Sequence, residues 1–227
     1  MKNLFSKKIW LLVLILCFSH LSLFAKNLSF EANEGLSAGN SLFSVNLGGN
    51  FPFSTTDEKD MYGEDIEWGD YGLQFGAQYL FFISDNLALG FDFQRADFEE
   101  TSFGLQYRDS YGNVIGTEEL KIKTKTNNFM LVGRINILSN GDERLYVPIG
   151  LGISQIKGKL KGPGGSLSLN DSSLSGYFGL GVETDINQNF IFGFEGRINF
   201  SNFKKNSYDM DYNINYFSLL ARIGFKI

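Results

Sequence analysis

Catalysis and metal binding draw on a short list of side chains, and this chain holds few of them in usable company. Its one cysteine, Cys17, and its one histidine, His20, both lie in an N-terminal stretch built like an export signal. Met1 to Lys8 carries three lysines and no acid, Ile9 to Cys17 is an unbroken apolar run, and a mixed stretch then leads to the small residue Ala25. That order of basic, apolar and cleavable regions is the pattern of a secretory signal peptide. The apolar run is short of the ~20 residues that a membrane anchor needs, and Leu16 is not the small residue that precedes a lipidated cysteine. Residues 1–25 are therefore expected to be removed, with 26–39 left as a short periplasmic segment.

Without histidine or thiol, the mature chain cannot build the usual catalytic triads, dyads or zinc sites, and only carboxylate chemistry remains. The acidic stretch Asp57-Glu58-Lys59-Asp60, Glu64-Asp65-Ile66-Glu67 and Asp70 could pair carboxylates. Its spacing matches no calcium loop, so a solvated acidic loop is expected. Gly162-Pro163-Gly164-Gly165 lacks the lysine and the strand-to-helix setting of a phosphate loop and reads as a loop tip. Asn27-Leu28-Ser29 and Asn170-Asp171-Ser172 fit a glycosylation pattern by chance. The protein is thus expected to be no enzyme and to need neither cofactor nor metal. Past Ala25 the chain holds 17 basic against 25 acidic residues, which excludes nucleic acid as a partner.

What must position the remaining charged residues is a set of strands. Strict period-two alternation recurs eight times, and no run is long enough for a spanning helix. In the first, Phe43, Val45, Leu47 and Phe51 alternate with Ser44, Asn46, Gly48 and Asn50; in the third, Leu87, Leu89, Phe91 and Phe93 alternate with Ala88, Gly90, Asp92 and Gln94. The last sets Phe217, Leu219, Ala221, Ile223, Phe225 and Ile227 against Ser218, Leu220, Arg222, Gly224 and Lys226. Five more lie at 71–81, 129–137, 145–154, 177–186 and 192–200. Short links at Ser84–Asn86, Ser139–Arg144 and Asn187–Asn189 alternate with long ones at about 54–69, 97–126, 158–173 and 201–213. This is the rhythm of an up-and-down membrane barrel with short periplasmic turns and long extracellular loops. Asp109-Ser110-Tyr111-Gly112-Asn113 is a turn signal inside the second long link, so strands three and four are expected to continue as a protruding hairpin.

A soluble barrel would alternate too, but with its apolar face inside. Glycine decides between them: Gly48, Gly72, Gly76, Gly90, Gly150, Gly152, Gly179, Gly181, Gly193 and Gly224 lie on the polar face, against Gly49, Gly133, Gly176 and Gly196 on the apolar one. A narrow eight-stranded lumen needs missing side chains, whereas a water-exposed face gains nothing from them. The apolar face, with aromatics near strand ends at Tyr71, Phe81, Phe98, Phe200 and Phe217, is then expected to meet lipid. The fold expected is all-β: an eight-stranded antiparallel up-and-down transmembrane β-barrel over residues 40–227.

The signal peptide, the eight strands, the four long links and the closing strand Tyr216-Phe-Ser-Leu-Leu-Ala-Arg-Ile-Gly-Phe-Lys-Ile227 resemble the small bacterial outer-membrane barrels grouped with OmpX, Ail, the opacity proteins and the OmpA transmembrane domain. The resemblance implies an outer-membrane location and assembly by the barrel-assembly machinery, for which the closing strand looks like the recognition signal, although it ends on Ile227 rather than an aromatic. Barrels of this kind that are enzymes resemble one another in using a histidine, absent here after export. No peptidoglycan-binding domain is expected beyond the barrel.

The charged residues then fall in two places. Asp92, Arg134, Glu183, Glu195, Arg197 and Arg222 lie on the polar face and sum to zero; they are expected to plug the lumen in pairs, Asp92 with Arg134 and Glu195 with Arg222, because an unpaired buried charge costs several kcal/mol. A gated, porin-like channel is the rival. Arg95, Lys121, Lys123, Lys125 and Lys157 break the apolar register at the extracellular ends of three strands, where the phosphates of lipopolysaccharide lie. The long loops, with Trp68, Tyr107, Tyr111, Tyr208, Met210 and Tyr212 as candidate contacts, suggest surface interaction or adhesion with a host or neighbouring-cell ligand, or an envelope-structural role.

Overall fold

The computed structural model describes residues 36–53, 55–59, 65–67, 70–108, 111, 113–162, 165–204 and 211–227. Eight long strands carry the architecture: β1 (Ser41–Pro52), β2 (Asp70–Ser84), β3 (Leu87–Glu99), β4 (Val114–Asn140), β5 (Glu143–Gly162), β6 (Gly165–Asp185), β7 (Phe190–Lys204) and β8 (Tyr216–Lys226). Each pairs antiparallel with its neighbours in sequence, and β1 pairs with both β2 and β8. The ladder therefore closes on itself, with Ser41 N–H donating to the Ile227 carbonyl at 2.9 Å. Closure leaves the barrel wall without a free edge, the arrangement that satisfies every backbone group where water is absent.

Polarity runs opposite to a soluble protein. Outward residues such as Leu47, Leu73, Phe91, Leu131 and Leu151 are each more than 60% exposed, while inward Arg134, Arg197 and Arg222 are 2% exposed or less. A methyl group built on any of the ten inward glycines would overlap a neighbouring strand's backbone or a lumen side chain; on the four outward ones it would meet nothing nearer than 3.0 Å. Gly150 lies under the Tyr177 ring and Gly181 under the Tyr146 ring. Missing side chains on the inner wall are what let three tyrosines and four arginines fit an eight-stranded lumen. Phe98 departs from expectation. Its even position on β3 points it inward, where it is buried edge-on against Tyr216 at 5.3 Å between ring centroids; Tyr71, Phe81 and Phe200 do face outward.

Tight turns at 85–86, 141–142 and 186–189 join strands at one end, where β1 begins and β8 ends. At the other end the sheet runs on. Thr101–Arg108 pairs with β4 from Ile122 to Val114, β4 with β5 up to Lys121↔Lys161, and β5 with β6 up to Gly162↔Gly165. The expected hairpin is thus part of a four-stranded projection, and residues 158–173, expected as a loop, are mostly strand. Roughly 35 Å of strand separates Lys125 from Val114 at ~3.3 Å per residue. Polarity inverts along it. Inward Thr124 and Thr126 give way to buried Ile122, and inward Ser154 to Ile156, while outward Phe129 and Ile153 give way to lysines. Such an inversion is what a strand leaving hydrocarbon for water requires, because its outer face must then be solvated.

Candidate functional site

The lumen holds two apolar clusters and a network of charges. Nearest the short turns lies an apolar cluster of Leu36, Leu42, Leu80, Phe82, Ala88 and Ile191, with Met130, Val132 and Tyr177 above. Near the projecting end a second cluster joins Ala96, Phe98, Ile156, Ile214 and Tyr216. Charges and amides fill the space between and also reach the short-turn end, where Asp185 stands opposite Ile191 and Lys226 opposite Leu42.

The charges form two chains. In the first, Lys226 Nζ reaches Asp185 at 2.6 Å, Asp185 pairs with Arg144, and Arg144 Nε donates to Glu183 at 2.8 Å. Arg134 then closes on the same Glu183 with two parallel bonds of 2.8 and 2.5 Å. In the second, Arg222 approaches Glu195 at 3.4 Å, Glu195 pairs with Arg197, and Arg197 Nη1 donates to Asp92 at 2.6 Å. Tyr146 joins the two: its hydroxyl donates to Glu195 at 2.8 Å and accepts from Arg222 at 3.1 Å, while the Arg134 guanidinium lies 3.8 Å over its ring. Asp92 Oδ2 also accepts from Tyr177 at 2.8 Å and Gln94 at 2.6 Å. Charge-assisted, bidentate bonds of this kind are the strong ones, and a low local dielectric makes each depend on the rest.

All six predicted lumen residues are brought together, in different pairs. Glu195 does meet Arg222, but Asp92 meets Arg197 rather than Arg134. On the ladder Asp92 stands opposite Met130, and Arg134 lies opposite Ala88. The stagger that closes a barrel sets the two charges apart along the wall and turns each toward a partner across the lumen. Arg144, Asp185, Tyr146 and Tyr177 are members that sequence reasoning missed as partners; Arg144 closes the expected short link Ser139–Arg144 and proves to be in β5. Their signal was the same inward parity, since each sits on an alternating position of β5 or β6.

At the projecting end Arg95, Lys121, Lys123, Lys125 and Lys157 lie on the outward face, with additions. Asp97, on the same face, accepts from Arg95 at 2.9 Å and from Lys125 at 3.0 Å. Lys159 and Lys161, hidden in a stretch expected to be loop, stand directly opposite Lys123 and Lys121, and Lys157 opposite Lys125. Of the candidate contact residues, Tyr111 is 89% exposed; the side chains of Trp68, Tyr107, Tyr208, Met210 and Tyr212, and those of the acidic stretch 57–67, lie outside the described residues.

A closed ring of eight strands, apolar outside and charged within, defines a barrel whose solvent is lipid: an integral outer-membrane protein. The family model described as outer membrane protein beta-barrel domain matches residues 15–225, and the chain belongs to that family. Its location is accordingly the bacterial outer membrane. No curated protein matches the sequence. Among solved structures, the chain is similar to Ail, the attachment invasion locus protein of Yersinia pestis, at 14% identity and a TM-score of 0.49, covering 84% of this chain and 99% of that one. It is similar to Neisserial surface protein A at 13% identity and 0.49, covering 86% and 100%, and to OprG of Pseudomonas aeruginosa at 12% and 0.45, covering 86% and 99%.

Proposed function

We propose that the protein is a non-catalytic, sealed outer-membrane scaffold whose long connections face the cell exterior and act in surface interaction or envelope structure. One observation carries the reading: linked ion pairs fill the lumen from the short-turn end upward, packed beside one apolar cluster and beneath a second near the projecting end. Moving an ion past that network would strip charges from partners that cannot be replaced without water. The orientation follows from the placement of both barrel termini at the short-turn end, which in an even-stranded barrel is periplasmic. On this reading residues 1–25 are the export signal, the segment after Ala25 is periplasmic up to Leu36, which is buried in the apolar cluster at the short-turn end, and β8 is the strand that the assembly machinery engages.

Planar-bilayer recording with pure, folded protein tests the seal. The expected trace is silent apart from brief openings; steady large conductance overturns the seal and leaves the gated channel. The interaction role is tested by capturing extracts of host or neighbouring-cell surfaces with wild type and with a form lacking 101–120. Capture that needs the projection supports adhesion, and capture indifferent to it favours the envelope role.

A further inference from the structure

Three rungs of the β4–β5 ladder set lysine directly against lysine: Lys125↔Lys157, Lys123↔Lys159 and Lys121↔Lys161. Cross-strand partners on one face hold their Cβ atoms ~5 Å apart, and like charges so placed destabilise a sheet. Three such rungs in succession, in a chain with a formal net charge of −5, demand a counter-charge. The acids on that face are few. Asp97 is shared between Arg95 and Lys125, Glu99 is exposed two positions beyond it on β3, Glu100 lies 3.4 Å from Lys161, and Glu119 is exposed further along β4. Among the described residues Lys123, Lys157 and Lys159 make no ion pair.

What lies beside and below the ladder narrows the ligand. On β6 the facing positions are Asn170, Ser168 and Ser166, uncharged and able to hydrogen-bond. Toward the membrane the next rung is Asn127↔Gln155 and the next Phe129↔Ile153. There the outward wall holds an apolar groove of about 500 Å³ that runs from Ile153 and Leu151 on β5 across Phe129 and Phe91 to Tyr79 on β2 and Phe43 on β1. The same strands thus offer a bed for a hydrocarbon chain, then amides, then cations. Their stems can lie along apolar surface while the ammonium groups stay in water. The three rungs cover roughly 13 Å of strand. A head group with one phosphate would meet only the lowest.

We propose that the lysine ladder of β4 and β5 binds a membrane glycolipid whose head carries several phosphates, with an acyl chain in the groove beneath. This goes beyond the sealed-scaffold reading and rests only on its orientation.

The test uses the full chain, folded and reconstituted into phosphatidylcholine nanodiscs that contain a multiply phosphorylated glycolipid, the same glycolipid after phosphatase treatment, or phosphatidylglycerol. Co-purified lipid and the thermal midpoint are measured for wild type and for the variant Lys123→Gln, Lys125→Gln, Lys157→Gln, Lys159→Gln. Because each basic residue near an anionic surface contributes a several-fold factor, wild type should enrich the phosphorylated glycolipid and the variant should lose about tenfold or more of that enrichment. In phosphatidylcholine alone the variant's midpoint should stay level or rise, since the repulsion is gone; in the phosphorylated glycolipid it should fall. A fall in both lipids, an unchanged enrichment, or equal enrichment of phosphatidylglycerol overturns the proposal. So does equal affinity of detergent-solubilised protein for inositol hexakisphosphate and for the glycolipid, which would mean a soluble polyanion. Where the fourfold variant fails to fold, Lys123→Gln with Lys159→Gln carries the same outcomes. None of these readouts depends on conductance, so the seal and the ladder fail separately.

Discussion

Replacing Arg197 with methionine removes the cation that joins Asp92 on β3 to Glu195 on β7 while keeping most of the side chain's volume. Four arginines, Arg134, Arg144, Arg197 and Arg222, face four acids, Asp92, Glu183, Asp185 and Glu195, among the buried residues; Arg197→Met leaves one buried negative charge without a counter-ion. Breaking a buried pair from one side costs about 3–5 kcal/mol. The cost here should fall near the lower value, ~3 kcal/mol. Asp92 keeps the Tyr177 and Gln94 donors, Glu195 keeps Tyr146 and Arg222, and only the 4.4 Å stacking of Arg197 on the Tyr177 ring has no substitute. Against a total stability of 5–15 kcal/mol that loss is large. Adding Asp92→Asn restores the balance at three charges of each sign, and the amide oxygen can still accept from Tyr177. The double variant should therefore regain more than half of the loss. Urea titration in lipid vesicles, read by the heat-modifiable gel mobility of folded barrel, gives the three stabilities for a double-mutant cycle. An Arg197→Met cost within about 0.5 kcal/mol, the range of an ordinary surface substitution, or a strictly additive double variant, would refute the linked network.

The inner-wall glycines make a second prediction: Gly150→Val drives a side chain into the Tyr177 ring and should cost about 1–3 kcal/mol, whereas Gly133→Ala on the outer wall, with its nearest neighbour 3.7 Å away, should stay within about 0.5 kcal/mol by the same titration. Topology supplies the third. Protease added to intact cells should cut within 54–69, 109–113, 163–164 or 205–210 and should spare the paired strands between 114 and 162; cuts at 85–86 or 186–189 from outside would invert the orientation.

Period-two alternation by itself determined the eight strands and which residues share a face, because side-chain parity is a property of a single strand and needs no knowledge of its neighbours. The glycine count settled inside from outside for a similar reason: the space available to a side chain in a narrow barrel is recorded residue by residue along each strand. Absence of histidine and thiol past Ala25 was legible in the same way.

Partnership was not legible. Asp92 and Arg134 occupy comparable places when strands are counted from their ends, yet the stagger of the closed sheet sends Asp92 to Arg197, 105 residues away, and Arg134 to Glu183. Phe98 carries a lipid-belt residue type at a strand end, and only the inversion of polarity beyond the wall gives it an inward apolar layer with Ile156, Ile214 and Tyr216 to join. Lys159 and Lys161 sit among glycines in Gly158-Lys159-Leu160-Lys161-Gly162, which reads as loop until β4 is present to pair with it. Each of these depends on register between strands, which hydrogen bonding and barrel closure set jointly. A single strand's sequence contains its own parity but not the offset of its neighbour, so the faces belong to the sequence and the pairs to the tertiary structure.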